Sequence, residues 1–375
     1  MSVIVAKIGD ICEVKRGTTI TQKNAIEGTI PVVAGGIKPT YYHNKPNRLG
    51  ETITISGSGA NAGYVNFWNI PIFASDCSTV QVLRDDVSIH YIHYFLLSKQ
   101  DFIYKELRSG AAQPHVYGKD IANIEVSVPP IATQKKIVAK LDAIFAEIDK
   151  TTAAAEANAK NAEALWQSMI DKVITDFNHL NNKASFSEVV EIKSKLVDPK
   201  EDKFQDFLHI GAGNMVSNNG ELLDLKTAKE ENLISGKFIF DENTVLYSKI
   251  RPYLKKVSQP SFVGLCSADV YPLVPIKNKV TKDFFFFLLL SNDFTNYAIA
   301  GSDRAGMPKV NREHLFAYQF NLPAIESQNF LTTKIKNSYV YIKVINKAVK
   351  KKIVELSLLK QSILTKAFHV KLVKE

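Results

Sequence analysis

Cysteine is scarce in this 375-residue chain: Cys12, Cys77 and Cys266 stand far apart, and none belongs to a CxxC pair. That scatter excludes a structural zinc site and fits a reducing, cytoplasmic compartment. Long apolar runs are missing as well. The most apolar stretch, Phe284 to Leu290, is far shorter than the ~20 residues that cross a bilayer, so it reads as a buried helix or strand and no membrane partner is expected. Lys7 and Asp10 interrupt the apolar start Val3-Ile4-Val5, so no secretory leader is expected. The formal charge is +9, yet residues 1–326 carry none of it; residues 327–375 hold eleven lysines against Glu355 and Glu375. A basic chain invites phosphate, but an excess confined to one segment makes composition alone a weak argument for nucleic acid.

Catalytic signals are equally sparse. The (Asn/Asp)-Pro-Pro-(Tyr/Phe) motif of amino-methyltransferases is absent, because Val128-Pro129-Pro130-Ile131 lacks the polar residue that would hold a target amine. Gly211-Ala212-Gly213 is a lone GxG, and neither Gly118-Lys119-Asp120 nor Gly236-Lys237-Phe238 completes a phosphate-cradling loop. Glu201 and Lys203 have a nuclease-like spacing but no correctly placed preceding aspartate. His90 and His93 sit at helical spacing without a third ligand, which points to a surface or core pair rather than a metal site. Neither a catalytic residue nor a metal ligand is expected, and the chain itself should need no cofactor.

What is present is a repeat. Gln113-Pro114-His115-Val116 through Ile121, then Pro129, Ile131 and Gln134, matches Met307-Pro308-Lys309-Val310 through Leu315, then Pro323, Ile325 and Gln328, at one constant offset. Looser echoes precede it: Ile8 to Val14 resembles Phe186 to Ile192, and Phe95 to Ser98 resembles Leu288 to Ser291. The intervening stretches differ almost completely. A chain of this length needs two or more domains, and shared frames with divergent interiors suggest two modules tuned to different targets.

After each junction the pattern turns helical. Ile137, Leu141, Ile144 and Ile148 have coiled-coil spacing, continuing through Thr151, Ala155 and Ala162 to Leu165 and Met169. Residues 131–180 contain no proline or glycine. In the second half Ile335, Tyr339, Ile342, Val349, Ile353, Leu356 and Ile363 follow suit, with Asn346 interrupting. Two helices of about 65 Å would overhang their domains, so an antiparallel pair that buries both seams is expected. The mixed regions look β-rich, with Glu51 to Ser56 and Cys77 to Leu83 alternating as half-buried strands do. The expected fold is therefore α+β: a mixed domain over 1–133, a spacer helix over 134–180, a second mixed domain over 181–326 and a second spacer helix over 327–375.

These features resemble the DNA-specificity subunits of Type I restriction–modification systems. The most specific marks are Ser109-Gly110-Ala111-Ala112-Gln113-Pro114-His115-Val116, Val128 through Ile137, and Ile55-Ser56-Gly57-Ser58-Gly59-Ala60-Asn61-Ala62-Gly63-Tyr64-Val65. In the second half Arg304-Ala305-Gly306-Met307-Pro308 keeps the proline but not the Gln-Pro-His. The resemblance implies that each target-recognition domain reads one half of a bipartite, asymmetric site in double-stranded DNA while the paired helices set the gap. It further implies two methyltransferase subunits docked on the helices and carrying S-adenosylmethionine, joined by restriction/translocase subunits.

Base readers must carry donors or acceptors on loops that reach a groove edge. In the first domain the candidates are Ser56, Ser58 and Asn61 on a Gly-rich loop, Tyr41, Tyr42, His43 and Asn44 on a polar–aromatic loop, and Gln113 and His115 beside the junction proline. In the second they are Lys249, Arg251 and Tyr253, with Arg304 and Lys309 around Gly306-Met307-Pro308. Lys350-Lys351-Lys352 reads as a solvated or partner-facing helix surface. Two other classes compete: a coiled-coil scaffold unrelated to DNA, which would need no divergent paired domains, and a self-contained DNA methyltransferase or nuclease, which would need the missing motifs.

Overall fold

The computed structural model describes residues 3–39, 41–110, 112–302 and 308–369. Its chain divides into two compact units, one made of the residues up to 155 together with those from 350, the other of residues 156–349.

In the first unit a four-stranded antiparallel sheet has the spatial order Cys12–Arg16, Cys77–Val82, Thr52–Ser56, Val65–Trp68. The sequence reads Thr52–Ser56 as half-buried, but every position is buried, because its polar side chains find partners inside. Thr52 Oγ1 donates to the Gly50 carbonyl (3.0 Å), and Thr54 Oγ1 accepts from Trp68 Nε1 (2.9 Å). The second unit repeats the order with Val190–Glu191, Val270–Pro275, Val245–Ser248 and Val257–Ser258. Each frame carries an added sheet, and here the units part. The first adds Tyr42–His43, Ile30–Val33 and Phe73–Ala74; the second adds a five-stranded sheet built around Lys237–Phe240 and Gly264–Cys266.

The two frames match element by element. Each domain closes by pairing its opening and final strands: Ile4–Lys7 with Glu125–Val128, and Lys183–Ser185 with Gln319–Asn321. One helical turn follows each opening strand, with the N–H of its cap residue taken by a carboxylate three residues on. Asp10 accepts from the Lys7 N–H (3.1 Å) and Glu188 from the Ser185 N–H (2.6 Å). The core helices Ile89–Ser98 and Lys282–Leu290 begin at hydroxyl caps, Ser88 and Thr281. Phe284 to Leu290 is indeed a buried helix segment, every side chain of it withdrawn from water.

The long helices span Ile131–Thr175 and Ile325–His369. The first starts ahead of residue 134 because the Pro130 carbonyl already accepts from the Thr133 and Gln134 N–H groups. In the first unit Leu141, Phe145 and Ile148 pack with Leu356 and Leu364, and Lys360 pairs with Asp149 while its ammonium lies over the Phe145 ring (5.3 Å). In the second unit Trp166 meets Tyr339 (4.5 Å between ring centroids), and further along Phe177 shares a groove with Phe330 and Ile335, so the helices run antiparallel. The seam differs from the expected one here. Ala162 is buried as expected, but Leu165 is 55% exposed, and from Ala162 the buried line continues through Trp166, Ile170 and Val173. Those positions advance eleven residues in three turns, the step a straight α-helix follows, whereas a seven-residue repeat drifts off its face.

One residue type ties each long helix to its domain. Gln134 has no exposed surface; its carbonyl accepts from the Ser88 N–H (2.8 Å), and its amide donates to the carbonyls of Asp86 (2.9 Å) and Pro129 (2.7 Å). Gln328, equally buried, repeats the pattern with the Thr281 N–H (2.8 Å) and the carbonyls of Lys279 (3.0 Å) and Pro323 (2.9 Å). Each glutamine thus joins the helix start, the cap of the core helix and the proline ahead of the helix, Pro129 or Pro323. Substituting Gln134→Met, close in volume but unable to bond, strands one buried N–H and two carbonyls. Chemical denaturation should show a loss of about 2–4 kcal/mol, and Gln328→Met should cost about the same in the second unit. A loss below ~0.5 kcal/mol would mean that the glutamines merely fill space.

Candidate nucleic-acid interface

In the first domain the chain leaving strand Thr52–Ser56 turns sharply and is gripped chiefly by backbone bonds. The Ser56 N–H donates to the Tyr64 carbonyl (3.0 Å), Gly57 to Asp76 (3.0 Å), and Gly59 to Pro114 (3.0 Å), while the Val116 N–H returns to Gly57 (3.1 Å). Three segments therefore meet at one corner: the Gly-rich loop, the residue that opens strand Cys77–Val82, and the junction Gln113 to Val116. Gly59 adopts φ +79°, and the space where its Cβ would stand is open, so the loop tip is slender and accessible. The Ser58 hydroxyl donates to the Asp76 carboxylate, which also lies 4.0 Å from the Arg16 guanidinium. A cleft of about 240 Å³ beside them is lined by Arg16, Asp76, His115, Tyr117 and Lys119 among others.

The second domain builds the same corner from different side chains. Ser248 donates to Lys256 (3.0 Å), Lys249 to Asp269 (3.0 Å), Arg251 to Pro308 (2.8 Å), and Val310 returns to Lys249 (2.9 Å), each through the backbone N–H. Gly57, Ser58, Gly59, Asp76 and His115 thus correspond to Lys249, Ile250, Arg251, Asp269 and Lys309. Where the first corner has a cleft, Lys249 fills the space, its ammonium bonded to the Ala268 carbonyl, 3.6 Å from Asp269 and over the Tyr271 ring (5.4 Å). Lys309 reaches the same carboxylate at 2.9 Å. Arg251, in the place of Gly59, keeps the left-handed backbone at φ +51°. A non-glycine residue there costs on the order of 1 kcal/mol, a strain that recurs where function needs a particular side chain.

The other candidates divide. Asn61 is half-buried at the base of the loop, and Gln113 is exposed beside the junction proline. Tyr253 is 53% exposed, in the short turn after Arg251. Ser56 is not on the loop surface: it is the buried last residue of its strand. His43 is buried too, its Nδ1 accepting from the Ile26 N–H (3.1 Å), and the Tyr41 hydroxyl donates to the Ile20 carbonyl (2.6 Å). Tyr42 and Asn44 are exposed but belong to the added sheet, not to the corner. Arg304 lies outside the described residues. Sequence reasoning missed Arg16, Asp76 and Asp269. The signal was present: an aspartate precedes an equivalent strand in Ser75-Asp76-Cys77 and Ala268-Asp269-Val270.

Electrostatics act in opposite senses on the two partners of the second corner, favouring the charged form of Asp269 and opposing that of Lys249. The hydrogen bond from Lys309 is the main cause holding the Asp269 carboxyl below its usual range, with the Lys249 charge adding to it. Burial, then the neighbouring Lys309, pushes Lys249 below the usual lysine range. The His90–His93 pair is a packing feature, both rings lying against Phe67 (4.8 and 5.1 Å), and among the described residues no His/Cys/Asp/Glu cluster has the geometry of a metal site. No helix among them is long and apolar enough to cross a membrane.

With this geometry in place, comparison with known proteins assigns the family. The sequence pattern of the Type I restriction modification DNA specificity domain matches residues 3–158 and again 181–353, and the chain belongs to that family. Among its relatives is the Type I restriction enzyme EcoDI specificity subunit of Escherichia coli, 27% identical over 322 residues that cover 74% of this chain and 71% of that protein. The MjaVIII specificity subunit of Methanocaldococcus jannaschii is 24% identical over 377 residues, covering 89% of this chain and 85% of its own. The fold matches a solved chain from work on assembly and conformational transition of the type I R-M system, with a TM-score of 0.71 at 14% identity over 98% of this chain and 97% of that one.

Burial sets a pH dependence in the first domain. It is the main cause lowering the His93 pKa from 6.5 to about 4. The folded state therefore binds this proton less readily than the unfolded chain. The stability is present in full above the unfolded value of 6.5 and is lost as pH falls from there through 4. Replacing His93→Phe should flatten the fall in stability between those values by at most ~3 kcal/mol, read from denaturation midpoints across pH. An unchanged slope would show that His93 is solvated.

Proposed function

We propose that the chain is the non-catalytic DNA-specificity subunit of a Type I restriction–modification complex, each domain reading one half of a bipartite, asymmetric site in double-stranded DNA. One observation carries this: an identical backbone corner stands in both domains, with a serine, a histidine and a cleft in one and two lysines and a strained arginine in the other. A conserved frame with exchanged donors is what two different base patterns demand, since hydrogen-bond donors and acceptors at groove edges distinguish base pairs. Arg251 suits a bidentate approach to guanine, and the smaller Ser58 and His115 suit other edges.

The long helices then serve as ruler and platform. Exposed apolar side chains on the second helix, among them Tyr341, Val344 and Leu358, offer area for two methyltransferase subunits. S-adenosylmethionine would reside on those subunits, and restriction/translocase subunits would join to cut unmodified DNA. The Lys350-Lys351-Lys352 surface is exposed, with Lys351 only in an i,i+4 pair with Glu355 (3.6 Å), and suits an acidic partner face. The complex would act in the cytoplasm, where the chromosome is.

The direct test is to map modified bases in cells that carry the methyltransferase partner with and without this chain. A bipartite motif that appears only with the chain is expected; modification independent of it would overturn the function. The ruler has its own test. Four residues inserted after Ala155, with four after Val349 to keep the helices paired, lengthen the pair by ~6 Å and rotate its far end by ~40°. The half-sites should persist while the gap grows by one or two base pairs. Three-residue insertions, which turn the seam by ~300°, should abolish modification. An unchanged gap in an active four-residue variant would leave the helices a platform only.

A further inference from the structure

The corners share one acidic residue, a group that can serve a groove edge only as an acceptor. DNA repels carboxylates, yet Asp76 and Asp269 occupy equivalent places, each at the head of the strand beside the loop, and neither is buried out of reach: their side chains are 30% and 44% exposed. Their backbone carbonyls hold the loop through Gly57 and Lys249, which any residue would do. The carboxylates do something else. Asp76 accepts from the Ser58 hydroxyl and faces Arg16; Asp269 faces both Lys249 and Lys309. Each therefore engages polar side chains that differ between the domains.

We propose that Asp76 and Asp269 are paired positioning residues for sequence discrimination, one for each half-site, which orient the hydrogen-bonding groups of their corner and restrain its cations from grasping phosphate indiscriminately. Two physical effects support this. A serine hydroxyl is free to rotate, and donation to Asp76 fixes its proton and turns its lone pairs outward, so Ser58 meets a base as an acceptor of defined direction. Lysine is a flexible point charge with little geometric selectivity; Lys249 and Lys309, tied to one carboxylate, lose that freedom and much of the charge that would bind any backbone. Discrimination rests on the difference between specific and non-specific affinity, so a carboxylate that lowers the second sharpens the ratio.

The inference depends on the DNA-reading function proposed above, and the test separates the two. The chain is assembled with its methyltransferase partner, and binding is measured to duplexes with the mapped motif intact, with the first or the second half-site scrambled, and with both scrambled. If the wild-type complex fails to distinguish these duplexes, the DNA-reading function itself falls. If it distinguishes them, Asp76→Asn should lower discrimination at one half-site on the order of tenfold and leave the other intact, and Asp269→Asn should do the reverse. Affinity for the doubly scrambled duplex should hold or rise, most of all for Asp269→Asn, with a steeper salt dependence; loss of a purely structural residue would weaken every duplex alike. Asp76→Glu and Asp269→Glu, which keep the charge, should recover part of the discrimination. Should an asparagine variant fail to fold, Arg16→Gln and Lys309→Gln remove the held cation instead and should affect the same half-sites. Equal losses at both half-sites, or discrimination unchanged in folded variants, would overturn the proposal.

Discussion

A glutamine sealed from water at the start of each long helix is the constraint on which the rest of this molecule depends. A helix that overhangs its domain transmits orientation only if its root is rigid, and apolar packing alone leaves a root free to slide. Gln134 and Gln328 remove that freedom, because each joins its helix to three backbone groups on two segments with bonds of 2.7–3.0 Å. A buried amide tolerates no displacement that leaves one of these groups unpaired. Pro129 and Pro323, which donate no backbone hydrogen bond, supply carbonyls at the same point, so the Pro–Gln spacing that marks the repeat is a mechanical device.

From that root the chain folds back into a sheet whose loops are held by backbone hydrogen bonds. This division of labour permits the side chains to vary. The corner in the first domain is built on Gly57, Ser58 and Gly59, and that in the second on Lys249, Ile250 and Arg251, yet the N–H and C=O groups engaged are the same. Arg251 keeps the left-handed conformation that Gly59 adopts freely. A frame indifferent to side-chain identity can be re-tuned for a new target without being refolded, and the unlike added sheets show how far the two domains have diverged.

How much of this was legible in the sequence follows from the same division. The repeat from Pro114 to Gln134 and from Pro308 to Gln328 could be read directly, since proline and a buried glutamine do backbone work that few residues can replace. The long helices were legible from periodicity and the absence of proline and glycine, although the far seam moved from Leu165 to Trp166 because helical drift is invisible to a fixed heptad count. The corner was not legible as a pair: backbone bonds leave no mark on residue type, and glycine opposite lysine gives no alignment signal. Polarity places Ser56 and His43 on exposed loops, whereas both are buried with their backbone or ring bonded inside.

On the proposed function, the two corners face opposite halves of one DNA site. It is tested most directly by placing a photoreactive phenylalanine analogue at Tyr117 or at Tyr253, both about half exposed beside their corners, and irradiating the methyltransferase complex on a duplex carrying the mapped motif. Cross-links from the first position should fall within one half-site and those from the second within the other. Cross-links from both positions in the same half-site, or confined to the gap between them, would contradict it.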